Sequence, residues 1–491
     1  MSPGAATGLA VVWPLLGALL VWVFGRRPNL RETATLLTAS SLFLLVAGVI
    51  LPEVLSGGRP RLEALEVLPG LSLAFEVEPL GMLFALVASG LWIVTSLYSI
   101  GYMRGHHEKN QTRFYICFAA AIAGALGVAF AGNVFTLFLF YEAITLSTFP
   151  LVTHHGTPEA KRAGRIYLGN LMGTSILFLL LALIWTWSAA GTTDFAPGGI
   201  LEGKVEGFHL AVLLLLYVFG TAKAAVMPFH RWLPAAMVAP TPVSALLHAV
   251  AVVKAGVFTI LKVMIYVFGL DALTGTSAAE WVMWAAAFTI LTASCIAIRK
   301  DNLKARLAYS TISQLSYIVL GAVLAARNAT IGAGMHIAMH AMGKITLFFC
   351  AGAIMVGAHK TEISDMRGLG RRMPFTMLAF LIGSLSIIGL PPTGGSWSKW
   401  FLMLGAADAG QETMMWVLMT SSLLSIGYLM PVVGRAFFSA PARDDAFFDG
   451  KGIKEAPLLC VVAPVATAIG CVFLFLYADQ LRGLLEGIPT P

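Results

Sequence analysis

Thr241-Pro-Val-Ser-Ala-Leu-Leu-His248-Ala-Val-Ala-Val-Val-Lys254-Ala-Gly-Val-Phe-Thr-Ile-Leu-Lys262-Val-Met-Ile-Tyr-Val-Phe268 decides the fold. The run is long enough to cross a bilayer, which takes about 20 mostly apolar residues in a helix. Lys254 falls inside that span, and Lys262 is read as belonging to its far edge. Outward from this stretch the same texture continues. Of 491 residues, 58% are hydrophobic and 12% charged, against roughly 45–50% apolar and about 25% charged in soluble domains. That excludes a soluble globular enzyme. No charged or Pro/Ser-rich linker separates soluble domains, so one polytopic, all-α membrane domain is expected.

Counting runs of this kind gives about fourteen spans, with approximate limits 6–24, 33–52, 79–100, 114–131, 133–152, 164–187, 208–228, 241–268, 281–298, 305–325, 330–357, 374–405, 413–434 and 457–477. Arg26, Arg27 and Arg31 follow the first apolar run rather than precede it, the reverse of a cleaved signal peptide. Loops after odd-numbered spans carry 22 of the 32 Lys and Arg residues, and the opposite side carries only six, Lys262 among them. Because basic loops stay cytoplasmic, both termini are expected outside. The net charge of +7 therefore reflects topology, and no nucleic-acid partner is expected. Cys117, Cys295, Cys350, Cys460 and Cys471 lack metal or redox spacing and read as packing residues.

Lys223, Lys254, Lys344 and Lys399 remain inside spans, and Glu142 is the one carboxylate deep in an apolar run. A charged side chain at the bilayer centre costs roughly 2.5–3.5 kcal/mol on insertion scales, so idle ones are not retained. A buried lysine beside a carboxylate can switch between charged and neutral, which makes it a proton-relay element. The plainer alternative, a static Glu142/Lys223 pair gluing two helices, explains one lysine and leaves three. His336, His340 and Lys344 recur at i, i+4 and i+8 and stack on one helix face. A lone histidine would read as a core residue bonded to a carbonyl, but a stripe ending in lysine favours a polar, hydrated track. His248 and Lys254 are six apart, a rotation of about 240°, so they do not share one narrow stripe.

Two spans look interrupted. Lys223 precedes Ala-Ala-Val-Met-Pro-Phe-His in the seventh, and Gly389-Leu-Pro-Pro-Thr-Gly-Gly-Ser-Trp-Ser-Lys399 lies within the twelfth. Proline removes a helix hydrogen bond and glycine loosens the backbone. Short of ordinary kinks, broken helices in corresponding positions of two halves point to an ion site. Asp444, Asp445 and Asp449 are the nearest approach to a surface catalytic cluster; they sit between Arg443 and Lys451 in a short loop and read as a solvated turn.

Phe138-Leu-Phe-Tyr-Glu142, Lys223-Ala-Ala-Val-Met-Pro-Phe-His-Arg-Trp-Leu-Pro, the His248/Lys254 stretch quoted above, Asp301-Asn-Leu-Lys-Ala-Arg-Leu-Ala-Tyr-Ser-Thr-Ile-Ser-Gln, His340-Ala-Met-Gly-Lys344 and the Gly389 to Lys399 segment together resemble a known family. It is that of the proton-translocating antiporter-like subunits of Mrp cation/proton antiporters, respiratory complex I and membrane-bound hydrogenases. The resemblance runs from about Pro79 to Phe438 and is nearest to the D-type Mrp proteins, although the segment around His248 and Lys254 looks closer to the A-type ones.

The resemblance implies two inverted five-helix repeats, each with a broken helix: residues 114–268 and 281–438, flanked by N-terminal helices in 1–113 and a C-terminal helix in 457–491. It implies that Glu142 pairs with Lys223, that Lys254 and His248 form a central connection continued by His336, His340 and Lys344, and that Lys399 is the terminal lysine. The function implied is proton translocation in a multisubunit Mrp-type Na+/proton antiporter of a bacterial or archaeal plasma membrane. Its partners would be other subunits and the lipid bilayer, with no cofactor and no metal. The rivals are a role in a complex I-like or hydrogenase complex, or in an inorganic carbon uptake complex. With no cysteine cluster and no Gly-rich nucleotide loop here, electrons in such complexes would travel through partners.

Overall fold

A backbone N–H or C=O left unpaired in hydrocarbon costs several kcal/mol, so a chain this apolar must close its hydrogen bonds inside helices. In the computed structural model, which describes residues 2–441, 445–449 and 452–489, it does so. Eleven helices among the described residues are long and apolar enough to cross a membrane: Pro3–Val23, Pro28–Leu55, Pro79–Gly105, Gln111–Ala129, Val134–Val152, Pro158–Ala190, Thr241–Phe268, Ser277–Arg299, Arg327–Ala358, Glu412–Phe438 and Leu458–Leu476. Leu303–Val323 and two broken helices supply counterparts for the other three expected spans. Arg443, Asp444 and Lys451 lie outside the described residues.

Several helices begin ahead of their apolar runs because polar caps and first-turn prolines extend them. The Thr157 hydroxyl accepts from Ala160 N at 3.1 Å ahead of Pro158, and the Asn302 side chain accepts from Ala305 N at 3.1 Å. Asn133 caps Val134–Val152 by accepting from Thr136 N at 2.7 Å.

One feature departs from the all-α expectation. β1 (Arg61–Leu68) and β2 (Leu71–Glu76) form an antiparallel hairpin whose turn places Gly70 at φ +77°. Its signals were a Pro-Gly dipeptide between two short apolar runs. Asn133 Nδ2 donates to Ser72 O at 2.8 Å, and Ala74 N donates to Thr136 Oγ1 at 3.0 Å, so the hairpin is tied to the start of a membrane helix.

Thr241–Phe268 is the centre of the molecule, buried along its whole apolar window. It packs against Arg327–Ala358, Leu303–Val323 and Pro79–Gly105. It also contains two π turns, Leu246–Val250 and Met264–Phe268, and His248 lies in the first. A π turn spreads one rotation over more residues than an α turn does, so the 240° reckoned from regular spacing does not hold. His248 and Lys254 both meet the same neighbour. The His248 ring lies 4.6 Å from Phe348, and Lys254 Nζ lies 2.5 Å from His340 Nδ1, both on Arg327–Ala358.

The sorting of charges also needs correction. Lys262 is not at an edge but 1% exposed, with Nζ 2.9 Å from Glu78 Oε1. Glu78 is 4% exposed, so Glu142 is not the only carboxylate drawn inside. Arg31, expected in the loop after the first span, is buried with Glu32 in the second span, where Glu32 bonds Arg104. Spacing alone does not separate the two cases for Lys262, because a lysine near the end of an apolar run looks the same whether it snorkels or turns inward.

Candidate functional site

The first break comes after Gly220. A single 3-10 turn, Ala222–Ala224, carries Lys223, Ala225 takes φ +56°, and the helix resumes at Trp232. Trp232 Nε1 donates to Ala222 O at 2.9 Å and closes one of the carbonyls the break frees. Gly256 permits this geometry: a Cβ there would collide with the backbone of Lys223 and Ala224, so the central helix lies directly against the break. The second break separates Pro374–Ile388 from Gly395–Asp408, with Gly389 at φ +91°. Both breaks fall where the sequence placed them.

Lys223 is fully buried. Its Nζ donates to Tyr141 O at 2.8 Å and to Thr145 Oγ1 at 2.6 Å, and sits 3.2 Å from the centroid of the Tyr141 ring. The expected ion pair with Glu142 is not formed in this conformation. Among the described residues no lysine, arginine or histidine lies in salt-bridge contact with Glu142, whose two buried carboxylate oxygens have no hydrogen-bond partner. The carboxylate is still close enough to act electrostatically on Lys223. Lys223 thus has an uncharged hydroxyl as its side-chain hydrogen-bond partner, with the carboxylate near enough to be felt.

Lys254 and His340 form the centre. Both are at most 1% exposed, and a nitrogen–nitrogen hydrogen bond at 2.5 Å requires one of the two facing atoms to lack a proton. His340 stacks on His336 at 5.8 Å, and His336 stacks on Tyr317 at 5.5 Å. His336 Nδ1 lies 2.9 Å from Ser398 Oγ, the residue beside Lys399. Lys399 Nζ donates to Ile388 O, a carbonyl at the second break, and to Ser422 Oγ, each at 3.0 Å. His336 and His340 thus stack along Arg327–Ala358 as a stripe that reaches Ser398, beside the second break.

Lys344 branches from that stripe. Its Nζ donates to Ser310 Oγ at 2.5 Å; Ser310 donates to Tyr428 Oη at 2.9 Å, which lies 2.9 Å from Ser425 Oγ. Close by, Ser294, Ser313 and Ser421 bond one another at 2.9 to 3.3 Å. These hydroxyls were missed, since a serine in an apolar helix commonly bonds its own i−4 carbonyl and carries no periodic signal. His248 stands apart, with neither ring nitrogen hydrogen-bonded. Among the described residues no group of His, Cys, Asp and Glu is placed to hold a metal ion. The five cysteines are unpaired. Asp445 bonds Lys360, and Asp449 is exposed.

Such an arrangement defines a class: a polytopic membrane protein with lysines and histidines linked through its buried centre, between two broken helices. Residues 131–425 match the model described as NADH:quinone oxidoreductase/Mrp antiporter, transmembrane, and residues 70–115 match that of NADH-Ubiquinone oxidoreductase (complex I), chain 5 N-terminus. The chain belongs to this NADH:quinone oxidoreductase/Mrp antiporter family. It is 32% identical over 488 residues to NADH-quinone oxidoreductase subunit N of Desulforudis audaxviator, covering 96% of each chain. It is 30% identical over 467 residues to a probable K(+)/H(+) antiporter protein of Rhizobium meliloti, covering 91% of this chain but 45% of that one. A chain in the structure of the Mrp complex from Dietzia sp. DQ12-45-1b shares the fold at TM-score 0.86 and 22% identity, covering 100% of this chain and 97% of that one.

Proposed function

We propose that the chain is a proton-translocating subunit of a multisubunit Mrp-type antiporter, exchanging protons for Na+ across a bacterial or archaeal plasma membrane. The Lys254–His340 bond carries this reading, because it joins the centre of the first half to the histidine stripe of the second. The two groups share one proton between facing nitrogens. A second proton arriving at Lys254 makes both positive, breaks the bond, and drives charge onward through His336 toward Ser398 and Lys399. Neutralising Lys254 reverses the push. At the other end, movement of Lys223 between Thr145 and Glu142 sets the field that Lys254 feels. Glu142, Lys223, Lys254, Lys344 and Lys399 thus carry the charge, with His248, His336 and His340 as relays. The repeats span 114–268 and 281–438, both termini lie outside, and the protein works beside other subunits without a cofactor of its own.

A redox-driven complex is the second reading, supported by near full-length similarity to a quinone oxidoreductase subunit. Companions that copurify with the chain decide between them: redox subunits favour the second, other antiporter subunits the first.

Lys223→Ala, in everted vesicles with the complex assembled, is expected to lower ΔpH-driven cation exchange by about 100-fold, and Glu142→Gln to lower it as well. Unchanged exchange in both would sink the assignment.

A further inference from the structure

At the face bearing the basic loops, three histidines converge on one carboxylate. His106 Nδ1 and His155 Nε2 lie 3.1 and 3.2 Å from Glu108 Oε1, and His154 Nε2 lies 3.7 Å from Oε2. They come from two loops, one following Pro79–Gly105 and the other following Val134–Val152. The site is graded in depth. The His106 and His155 side chains are 33% and 35% exposed, whereas those of Glu108 and His154 are 7% and 2% exposed. Arg113 and Lys304 are the cations facing it. Arg113 donates to His154 O at 3.0 Å, and Lys304 Nζ donates to Ala239 O at 2.6 Å, just ahead of the central helix.

Lys304, half-buried at the start of Leu303–Val323, is within the field of both this cluster and the buried track. It interacts electrostatically with Glu108 and His155 on one side and with His248 on the other. His248, with both ring nitrogens unpartnered, is a buried acceptor and donor in want of a neighbour. A carboxylate with imidazoles at the face of the basic loops, a half-buried lysine within its field and a free imidazole in the buried track together supply the kinds of group that pass a proton inward.

We propose that Glu108, His154 and His155 form the proton-loading site of the basic-loop face, delivering protons by way of Lys304 to His248. This rests on the translocation reading above. Electrostatics agree with the geometry. The hydrogen bond to Glu108 raises His155 above the ordinary imidazole range, so it still holds a proton where a free histidine has lost one. Burial works against the Glu108 carboxylate, yet the bonds from His155 and His106 outweigh it and keep the group below its usual range. Burial lowers His154, which keeps the deepest ring neutral.

The test uses the whole complex in everted vesicles, with initial proton flux measured while pH on the basic-loop face is varied. Glu108→Gln with His155→Gln is expected to slow flux by about tenfold, most at alkaline pH where free protons are scarce. Imidazole added on that face should restore it. Lys254→Ala, which interrupts the path below the loading site, should be slow and not restored by imidazole. A double variant with the native rate and pH profile, or a loss that imidazole does not repair, overturns the loading site. Native flux in Lys254→Ala instead overturns the translocation reading itself. Should the double variant fail to assemble, His155→Gln alone, at a partly exposed position, must still flatten the alkaline limb of the profile, and an unchanged profile overturns the proposal.

Discussion

Lys254→Ala is expected to reduce proton translocation by about 100-fold or more while the complex still assembles. Among the described residues Lys254 is the one lysine hydrogen-bonded to the histidine stripe, and its loss leaves buried His340 Nδ1 without that partner. His340→Gln is the sharper companion. Glutamine keeps hydrogen-bonding capacity at that position but cannot titrate, so a comparable loss assigns the effect to proton exchange rather than to packing. The measurement is ΔpH across proteoliposomes of the whole complex, with assembly checked by size. Native rates in both variants would mean that protons bypass this bond.

Glu78→Ala should act on stability instead. Lys262 Nζ would keep only Ala131 O, at 2.8 Å, as an oxygen partner, and Pro79–Gly105 would lose the carboxylate that accepts from Leu80 N at 2.8 Å and Gly81 N at 3.2 Å. Removing one partner of a buried ion pair costs about 3–5 kcal/mol, and a lost N-cap about 1 kcal/mol. The expected result is a large drop in the thermal midpoint of the detergent-solubilised complex. Glu78→Gln combined with Lys262→Met should regain most of it, because no uncompensated charge stays buried. A Glu78→Ala variant as stable as the native protein would show that the pair does not staple these helices.

The residues in these two predictions differ in how readable they were. Lys223, Lys254, Lys344 and Lys399 announce themselves, since a cation within an apolar run has a cost that composition alone exposes. The breaks are equally plain from Pro and Gly. Lys262 does not announce itself: the apolar run ends a turn and a half beyond it, and its partner Glu78 caps a helix far away in the sequence. The π turn at His248 is hidden for another reason. Its sequence, Leu-Leu-His-Ala-Val, suits an ordinary helix, and only packing against Phe348 shows which way the ring faces. The Glu108 cluster was overlooked because its histidines sit in polar loops, where a titratable residue is unremarkable until two loops meet. Finally, the Lys223–Glu142 pairing inferred from resemblance differs here because Thr145, one turn along the same helix, competes for the ammonium.

Whether the buried lysines change protonation, rather than serve as fixed charges, can be read directly. With lysine labelled by nitrogen-15, the Nζ resonance that disappears in Lys254→Gln should move from ammonium to amine as pH is raised through the range in which the complex transports. If that nitrogen instead holds one protonation state throughout while protons cross the membrane, Lys254 is a static charge and the relay is contradicted.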